Sequence, residues 1–314
     1  MNNKNKLLLE AKAFDKIVRK RIKNGFHPDL KRKNIIKYFY NNPWRYPKTR
    51  YLTISNKVSF VLKYCKKNNS VLDVGCGLGT LSMELARNNV NVMGIDISKK
   101  SISYAKKFSK ENLSKKEFSR INYKNFPISH IVKNPKKYKF DNIIFFKTLH
   151  HLDRVSQLFK KIKMNLKKNG KLIIVEPFRD DFQYLNAIIA YLVRKLSINW
   201  LNRDKNLGNL TYNKIGREII EIIKEYKYIS SKKGHDQSPM DNSTSSKLLV
   251  LKELKKNFKI IKLDTIEAFK DKILGGIRGK SYKKEIMFLN NFDDFLVKKK
   301  ILRGTTSLIV ARKK

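Results

Sequence analysis

Between residues 70 and 177, the sequence alternates short apolar runs with segments in which apolar residues recur at helical spacing. The apolar runs cover residues 71–74, 90–95, 118–121, 140–146 and 171–175. In the helical segments, Ser98 and Asp153 are placed to cap two helices, and Asn169-Gly170 is expected to end the second one. Strands that are apolar along their whole length lie in parallel sheets covered by helices on both faces. The alternation therefore predicts an α/β core.

The segments on either side of this core have different patterns. Residues 1–66 are basic and mostly helical, residues 178–242 change from helix to loop, and strand patterns return at 259–263 and 307–311. We therefore expect four regions. They are a helical N-terminal extension or lid (1–66), a ligand-binding core (67–177), a helical cap insert for the substrate (178–242), and the end of the core (243–314) with a further insert at 266–303.

The chain carries a large excess of positive charge. It has 71 Lys and Arg residues against 26 Asp and Glu residues, which gives a formal net charge of +45. Such an excess attracts polyanions such as RNA or an anionic membrane surface. The basic residues are spread along the whole chain, however, and the abundance of Lys, Asn and Ile together is what an AT-rich genome produces. Both explanations of the charge stay open.

Two features bear on where the protein works. The chain has only two cysteines, Cys65 and Cys76, as expected in a reducing compartment. Its longest apolar stretch, residues 184–193, is about half the length of a membrane-spanning helix. We expect a cytoplasmic protein, with peripheral contact to a membrane as the alternative.

A glycine-rich segment follows the first apolar run, with Asp73, Gly75, Gly77 and Gly79 at alternate positions before a helix that begins near Leu81. Glycines are needed where a backbone approaches a ligand closely or adopts positive φ. A turn at a helix N-terminus presents backbone N–H groups to a polar or anionic ligand. The dinucleotide fingerprint G-x-G-x-x-G/A does not fit, because Thr80 stands at its last position.

The spacing D-x-G-x-G-x-G resembles the first motif of class I S-adenosylmethionine-dependent methyltransferases, and the resemblance extends over residues 70–177. It implies that S-adenosylmethionine is the cofactor, that the three glycines line its site, and that Asp73 lies near its methionine amine. It also implies a seven-stranded, mostly parallel, Rossmann-like sheet whose last strand, near residues 307–311, is antiparallel.

Further cofactor contacts follow from the same resemblance. Asp96, followed by Ile97, ends the second apolar run, where a carboxylate can accept both ribose hydroxyls. Asn122 stands five residues before Pro127, where the family often has an acidic residue that contacts adenine. The remaining predicted contacts are Tyr123, Phe146 at the end of the fourth run, and Arg45, which follows Tyr40 and Trp44 and could pair with the methionine carboxylate.

Histidines supply the candidate bases. His150 and His151 follow the fourth run in a Leu-His-His-Leu sequence that is common in the family, and ligands of open α/β sheets bind at this edge. A histidine there could accept a proton from a substrate hydroxyl, or could simply pack in the loop. His235, with Asp236, is a second candidate. Because Lys147 stands where metal-dependent relatives carry an acid, we expect no catalytic metal.

The acceptor is less constrained. The fourth run is not followed by Asn-Pro-Pro-Tyr, and no cysteine ends a strand outside the glycine turn, which argues against methylation of base amines or of pyrimidine C5. We predict methyl transfer to a small-molecule, sugar or lipid-linked acceptor, at oxygen. The alternatives are an RNA methyltransferase and a non-catalytic scaffold.

One helical face of the cap insert is apolar. This face is either a lid that packs on its own domain, or a surface that binds an anionic membrane or a lipid tail. The oligomeric state is left open. The residues of this face are Leu185, Ile188, Ile189, Leu192, Leu196 and Trp200.

Overall fold

The computed structural model describes residues 3–32, 42–152, 154–197, 200, 211–227, 238–240 and 246–314. The seven strands are β1 (Ser70–Val74), β2 (Asn91–Asp96), β3 (Ile121–Asn125), β4 (Phe140–Phe146), β5 (Leu166–Pro177), β6 (Phe258–Ile266) and β7 (Thr306–Lys313). They form one sheet in the order β3-β2-β1-β4-β5-β7-β6. The first five strands are parallel, and β7 runs antiparallel between β5 and β6. The expected fold is confirmed, including the antiparallel last strand.

Helices cover this sheet and extend beyond it. They are α1 (Asn3–Lys23), α2 (Pro47–Arg50), α3 (Asn56–Leu62), α4 (Thr80–Arg87), α5 (Lys99–Asn112), α6 (Lys115–Phe118), α7 (Ile128–Lys133), α8 (Val155–Ile162), α9 (Tyr184–Leu196), α10 (Tyr212–Lys227), α11 (Lys247–Asn257), α12 (Lys270–Ile273) and α13 (Tyr282–Lys298). A π-helical turn, Tyr51–Ser55, joins α2 to α3, and a 3-10 turn, Leu149–His151, follows β4.

The alternation of side chains along the strands separates two layers of core. Leu72, Ile143 and Ile174 face one layer with α8 and α11, whereas their sequence neighbours face the other layer with α3 and α4. Because the central strands β1 and β4 are buried on both faces, they are mostly apolar. A third cluster joins α9 and α10 to α12 and α13. The cap insert and the later insert at 266–303 therefore share one apolar core.

Two expected boundaries are wrong. The third strand, β3, begins at Ile121 after the short helix α6, so it includes only the last of the expected residues 118–121. Helix α8 ends at Ile162, and Leu166 already pairs with Phe140 in the sheet, so Asn169-Gly170 lies within β5. The register shifts here, and a Cβ on Gly170 would lie 3.0 Å from Leu166. Gly170 thus allows the strand to be irregular at this point, because a larger residue would collide with the buried side chain of Leu166.

The cap on α5 is confirmed, since the Ser98 hydroxyl oxygen accepts a hydrogen bond from the Ser101 N–H at 2.9 Å. Asp153, the other predicted cap, lies outside the described residues. Within the described ranges, every helix is too short or too polar to cross a lipid bilayer.

Candidate functional site

The glycine turn between β1 and α4 adopts a backbone that favours glycine. Gly75, Gly77 and Gly79 have φ values of +69°, +53° and +83°. A Cβ on Gly75 would lie 2.3 Å from Thr148, and one on Gly79 would lie 2.3 Å from the Tyr123 hydroxyl, whereas a Cβ on Gly77 would meet nothing within 4 Å. The outer two glycines thus allow close packing inside the protein, and Gly77 faces open space that a ligand can enter.

The turn is held against the end of β2. The N–H groups of Gly75 and Cys76 both donate to the Ile95 carbonyl, and the Gly77 N–H donates to Asp96 Oδ2 at 3.0 Å. Asp96 Oδ1 accepts from the Ser98 N–H at 2.8 Å. Burial raises the pKa of Asp96 to about 6. The carboxylate is partly exposed at the sheet edge, and each oxygen keeps acceptor capacity for a ligand hydroxyl.

Asp73 is placed beneath the turn. Its carboxyl is 1% exposed and accepts a hydrogen bond from the Ser82 hydroxyl of α4 at 2.7 Å. Burial raises the pKa of Asp73 to about 7. Asp73 therefore joins β1 to α4, and its nearness to the methionine amine of a cofactor stays a prediction.

Two predicted contacts lie within β3, before its carboxyl end, and their contact with a cofactor stays a prediction. Tyr123 is buried below the turn with its hydroxyl 2.9 Å from Ser109 Oγ, so its ring packs inside the protein. Asn122 pairs with Met93 in the middle of β2, so it lies before the carboxyl ends of the two strands. Asn125 is the residue that ends β3, and its amide donates to the carbonyls of Asp96 and Ile97 at 2.9 and 3.0 Å. Counting five residues back from Pro127 gives Asn122, and the expected strand ended at residue 121, so Asn125 was not among the predicted contacts.

Ile97 and Phe146 lie where they were expected, at the carboxyl ends of β2 and β4. Both are partly exposed at the edge that carries the glycine turn. Their contact with a cofactor stays a prediction.

His150 is oriented by a buried carboxylate. Glu176, at the end of β5 and 1% exposed, accepts hydrogen bonds from the N–H groups of Thr148, Leu149 and His150 at 3.0–3.3 Å. Its Oε1 also contacts His150 Nδ1. A carboxylate only accepts, so Nδ1 carries the proton toward Glu176 and leaves Nε2 as an acceptor. Glu176 therefore fixes both the loop and the imidazole.

His151 has a carboxylate from a distant segment. Glu10 of α1 is fully buried, and its Oε1 lies 3.0 Å from His151 Nδ1. The Ser238 hydroxyl lies 2.9 Å from the same nitrogen, and the N–H of Met240 donates to Glu10 Oε2 at 2.9 Å. The two imidazole rings are 4.0 Å apart. The site thus joins α1, the loop after β4, and part of the cap insert.

Helix α1 lies across the edge of the sheet near Asp96. Asp15 Oδ1 accepts hydrogen bonds from the Ser98 hydroxyl at 2.6 Å and from the Lys100 N–H at 3.1 Å. Val18 packs with Leu78 of the glycine turn and with Phe108. The N-terminal segment therefore packs over the candidate ligand site.

Two arginines near α2 have different surroundings. Arg45 lies beside Arg278, and its contact with a cofactor carboxylate stays a prediction. Arg50 is 5% exposed, and its Nη1 has no hydrogen-bond partner among the described residues. Asp29 and Glu84 act on it electrostatically, which places it near α4, but burial still lowers its pKa. The unpaired Nη1 of this buried guanidinium makes Arg50 a candidate to bind an anionic group.

Several predicted residues lie outside the described ranges, namely Tyr40, His235 and Asp236. The second candidate base therefore stays a prediction.

The site geometry can be compared with known proteins. A family model described as a methyltransferase domain matches residues 65–234, more than half of the chain. The ubiquinone biosynthesis O-methyltransferase of Pelagibacter ubique is 33% identical over 181 residues, which are 56% of this chain and 69% of that protein. The protein of the same name from Rickettsia canadensis is 30% identical over 153 residues, 49% of this chain and 59% of the relative. The crystal structure of the cyclase SpnF is similar in fold, with a TM-score of 0.54 and 15% identity over 96% of this chain and 94% of that chain.

Proposed function

Because this chain belongs to the class I S-adenosylmethionine-dependent methyltransferases, we propose that it methylates a hydroxyl oxygen of a small-molecule, sugar or lipid-linked acceptor. The observation that carries this proposal is the His150–Glu176 pair at the edge of the sheet, beside the glycine turn. The names of the relatives that act as O-methyltransferases agree with transfer to oxygen.

The residues at the edge fit the cofactor. Asp96 offers two carboxylate oxygens to the ribose hydroxyls, and Gly77 leaves room for a ligand against the turn. The buried guanidinium of Arg50 offers a partner for the methionine carboxylate. The side-chain oxygen of Asn125 can accept from the adenine amine. When bound, S-adenosylmethionine supplies an electrophilic methyl group on a sulfonium centre.

In this proposal, His150 takes the acceptor proton. Thr148, which fills the space beside Gly75, brings the histidine loop against the glycine turn. Glu176 holds the proton on Nδ1, so Nε2 would be free to accept the proton of the acceptor hydroxyl when that oxygen is methylated. Glu176 is 1% exposed and contacts His150, so its carboxylate would stabilise the positive charge that the imidazole gains during the reaction.

Transfer of label from radioactive S-adenosylmethionine to fractionated cell extract tests the proposal. We expect label in a lipid, glycan or small-molecule fraction, as an ether that resists mild alkali. His150→Asn should lower the rate by about a hundredfold or more while cofactor affinity is kept. His130→Asn, on exposed α7, is the matched control. Equal rates for the two variants would contradict the role of His150.

An RNA methyltransferase is the second candidate, which the net charge of +45 favours. It predicts label in the RNA fraction and a steep fall of RNA affinity with salt. Binding of cofactor with no label in any fraction would instead indicate a non-catalytic scaffold. Either result contradicts the proposed acceptor class.

A further inference from the structure

Helices α9 and α13 expose a continuous set of large apolar side chains. Tyr184 and Leu196 of α9 are both 67% exposed, and Phe288 of α13 is 66% exposed. Single exposed apolar residues are ordinary, but a contiguous group marks an interaction surface. We call this group the apolar face; its members are Tyr184, Leu185, Ile188, Leu192, Leu196, Phe288 and Phe295.

A groove of about 560 Å³ lies between the two helices within this face. Its lining is mostly apolar and includes Val193 of α9 with Leu289 and Phe292 of α13. The volume is in the range that holds a small ligand or part of an acyl chain. The groove is open to the same side as the exposed side chains, because Leu192, Leu196 and Phe288 both line it and face solvent.

Positive charge borders the apolar face along α13. Lys284 lines the groove, Lys283 is next to it, and Lys298 to Lys300 follow Phe295. All five are exposed, and none forms an ion pair with another described residue. The same helix has three acidic residues: Glu285 lines the groove and accepts a hydrogen bond from the Ser197 hydroxyl, Asp293 is buried, and Asp294 pairs with Lys270. The border of the face therefore has a net positive charge.

We propose that the apolar face docks on an anionic lipid bilayer, with an acyl chain of one lipid in the groove and the α13 lysines against the headgroups. Apolar side chains that enter the acyl boundary, together with lysines at headgroup level, are the two contributions that bind an amphipathic helix to such a surface. Nucleic acid fits the lysines but leaves the apolar side chains in water. The proposal concerns a surface apart from the methyl-transfer site and does not depend on the acceptor.

Flotation of the full chain with vesicles tests the docking. The wild type should float with vesicles that contain phosphatidylglycerol and much less with pure phosphatidylcholine. Leu196→Ser with Phe288→Ser should weaken binding by about tenfold or more, because each change removes apolar burial. Leu248→Ser with Leu249→Ser, at exposed positions of α11, is the matched control and should bind like the wild type. Unchanged S-adenosylmethionine affinity shows that each variant is folded.

Four results would overturn the docking. The first is that the wild type does not float with anionic vesicles, and the second is that the two double variants lose flotation equally. The third is that RNA competes with the vesicles for the protein and binds it equally well with or without the serine substitutions. The fourth is a dimer in solution that the Leu196 and Phe288 substitutions dissociate. The last result would assign the apolar face to a second copy of the chain. Failure of the methyl-transfer assay leaves this measurement unaffected, so the two proposals fail separately.

Discussion

The carboxyl group of Asp96 connects the glycine turn to the start of α5, and its ionisation should control cofactor binding. Burial raises its pKa to about 6, so the charged form that accepts two hydroxyls is lost as the pH falls through that value. Affinity for S-adenosylmethionine should therefore be constant above pH 7 and fall by about tenfold per pH unit below 6. Calorimetric titration between pH 5 and 8 measures this.

Asp96→Asn is the control for that titration. It should bind the cofactor weakly at every pH and show no step near pH 6, because an amide does not titrate there. The assignment is contradicted by a wild-type affinity that is flat from pH 5 to 8.

Gly79 is constrained by a neighbour as well as by its backbone. Gly79→Ala adds a Cβ 2.3 Å from the Tyr123 hydroxyl at a φ of +83°. We expect the free energy of unfolding to fall by about 2–4 kcal/mol, the sum of left-handed strain and overpacking. Adding Tyr123→Phe removes the closest atom and should recover part of the loss, which denaturant unfolding can measure. A double variant no more stable than Gly79→Ala contradicts this explanation.

Among single residues, the sequence predicts those whose proposed roles depend on neighbours nearby in the chain. The three glycines, Asp96 and His150 could be proposed as site residues because a strand, a turn and a helix start are visible within about ten residues. Arg50 and Glu10 were missed, because their roles arise from segments far apart in the chain. A buried guanidinium nitrogen that lacks a hydrogen-bond partner is visible only in three dimensions.

Among the elements, α1 is the one that completes the site. The carboxylate of Glu10 lies beside His151 Nδ1 and accepts a hydrogen bond from the N–H of Met240. The carboxylate of Asp15 accepts a hydrogen bond from the Ser98 hydroxyl at the start of α5. Apolar contacts with Leu78 add to this attachment. Because α1 packs over the glycine turn, its detachment should open the cofactor edge to water.

Glu10→Gln removes a buried charge beside His151 and should loosen α1. We expect cofactor affinity to fall by about tenfold and amide exchange to rise in α1 but not in β1, since a buried carboxylate partner is lost. Lys16→Gln, on an exposed position of the same helix, is the control. The role of Glu10 is refuted when both variants show wild-type affinity and exchange.

The accuracy of the predicted elements followed the strength of their apolar pattern. The fourth strand, residues 140–146, was predicted with its observed limits because every residue except Asp141 and Asn142 is apolar. β3 was misplaced because it is Ile-Asn-Tyr-Lys-Asn, with two residues facing the core side and three exposed. Edge strands like this one carry polar side chains, which weakens the periodic signal.

The molecule as a whole has two parts, the sheet with its covering helices and the helical cluster of α9, α10, α12 and α13. The order and direction of the strands followed from the family resemblance and are confirmed. The cluster was not predicted as one unit, because α9 and α13 are about a hundred residues apart in the sequence. Periodicity shows that a helix has an apolar face, but it does not show which helix packs against that face.

Methyl transfer by this protein requires that a nucleoside binds at the carboxyl ends of β1 and β2, with its ribose at Asp96. Titration of S-adenosylmethionine into Asp96→Ala and Asp141→Ala tests this most directly, since Asp141 lies at the opposite end of β4. We predict that Asp96→Ala weakens binding by about a hundredfold or more, through loss of two charge-assisted hydrogen bonds, while Asp141→Ala binds like the wild type. Equal affinities for the two variants, or a wild-type chain that binds NAD in preference to S-adenosylmethionine, would contradict the account.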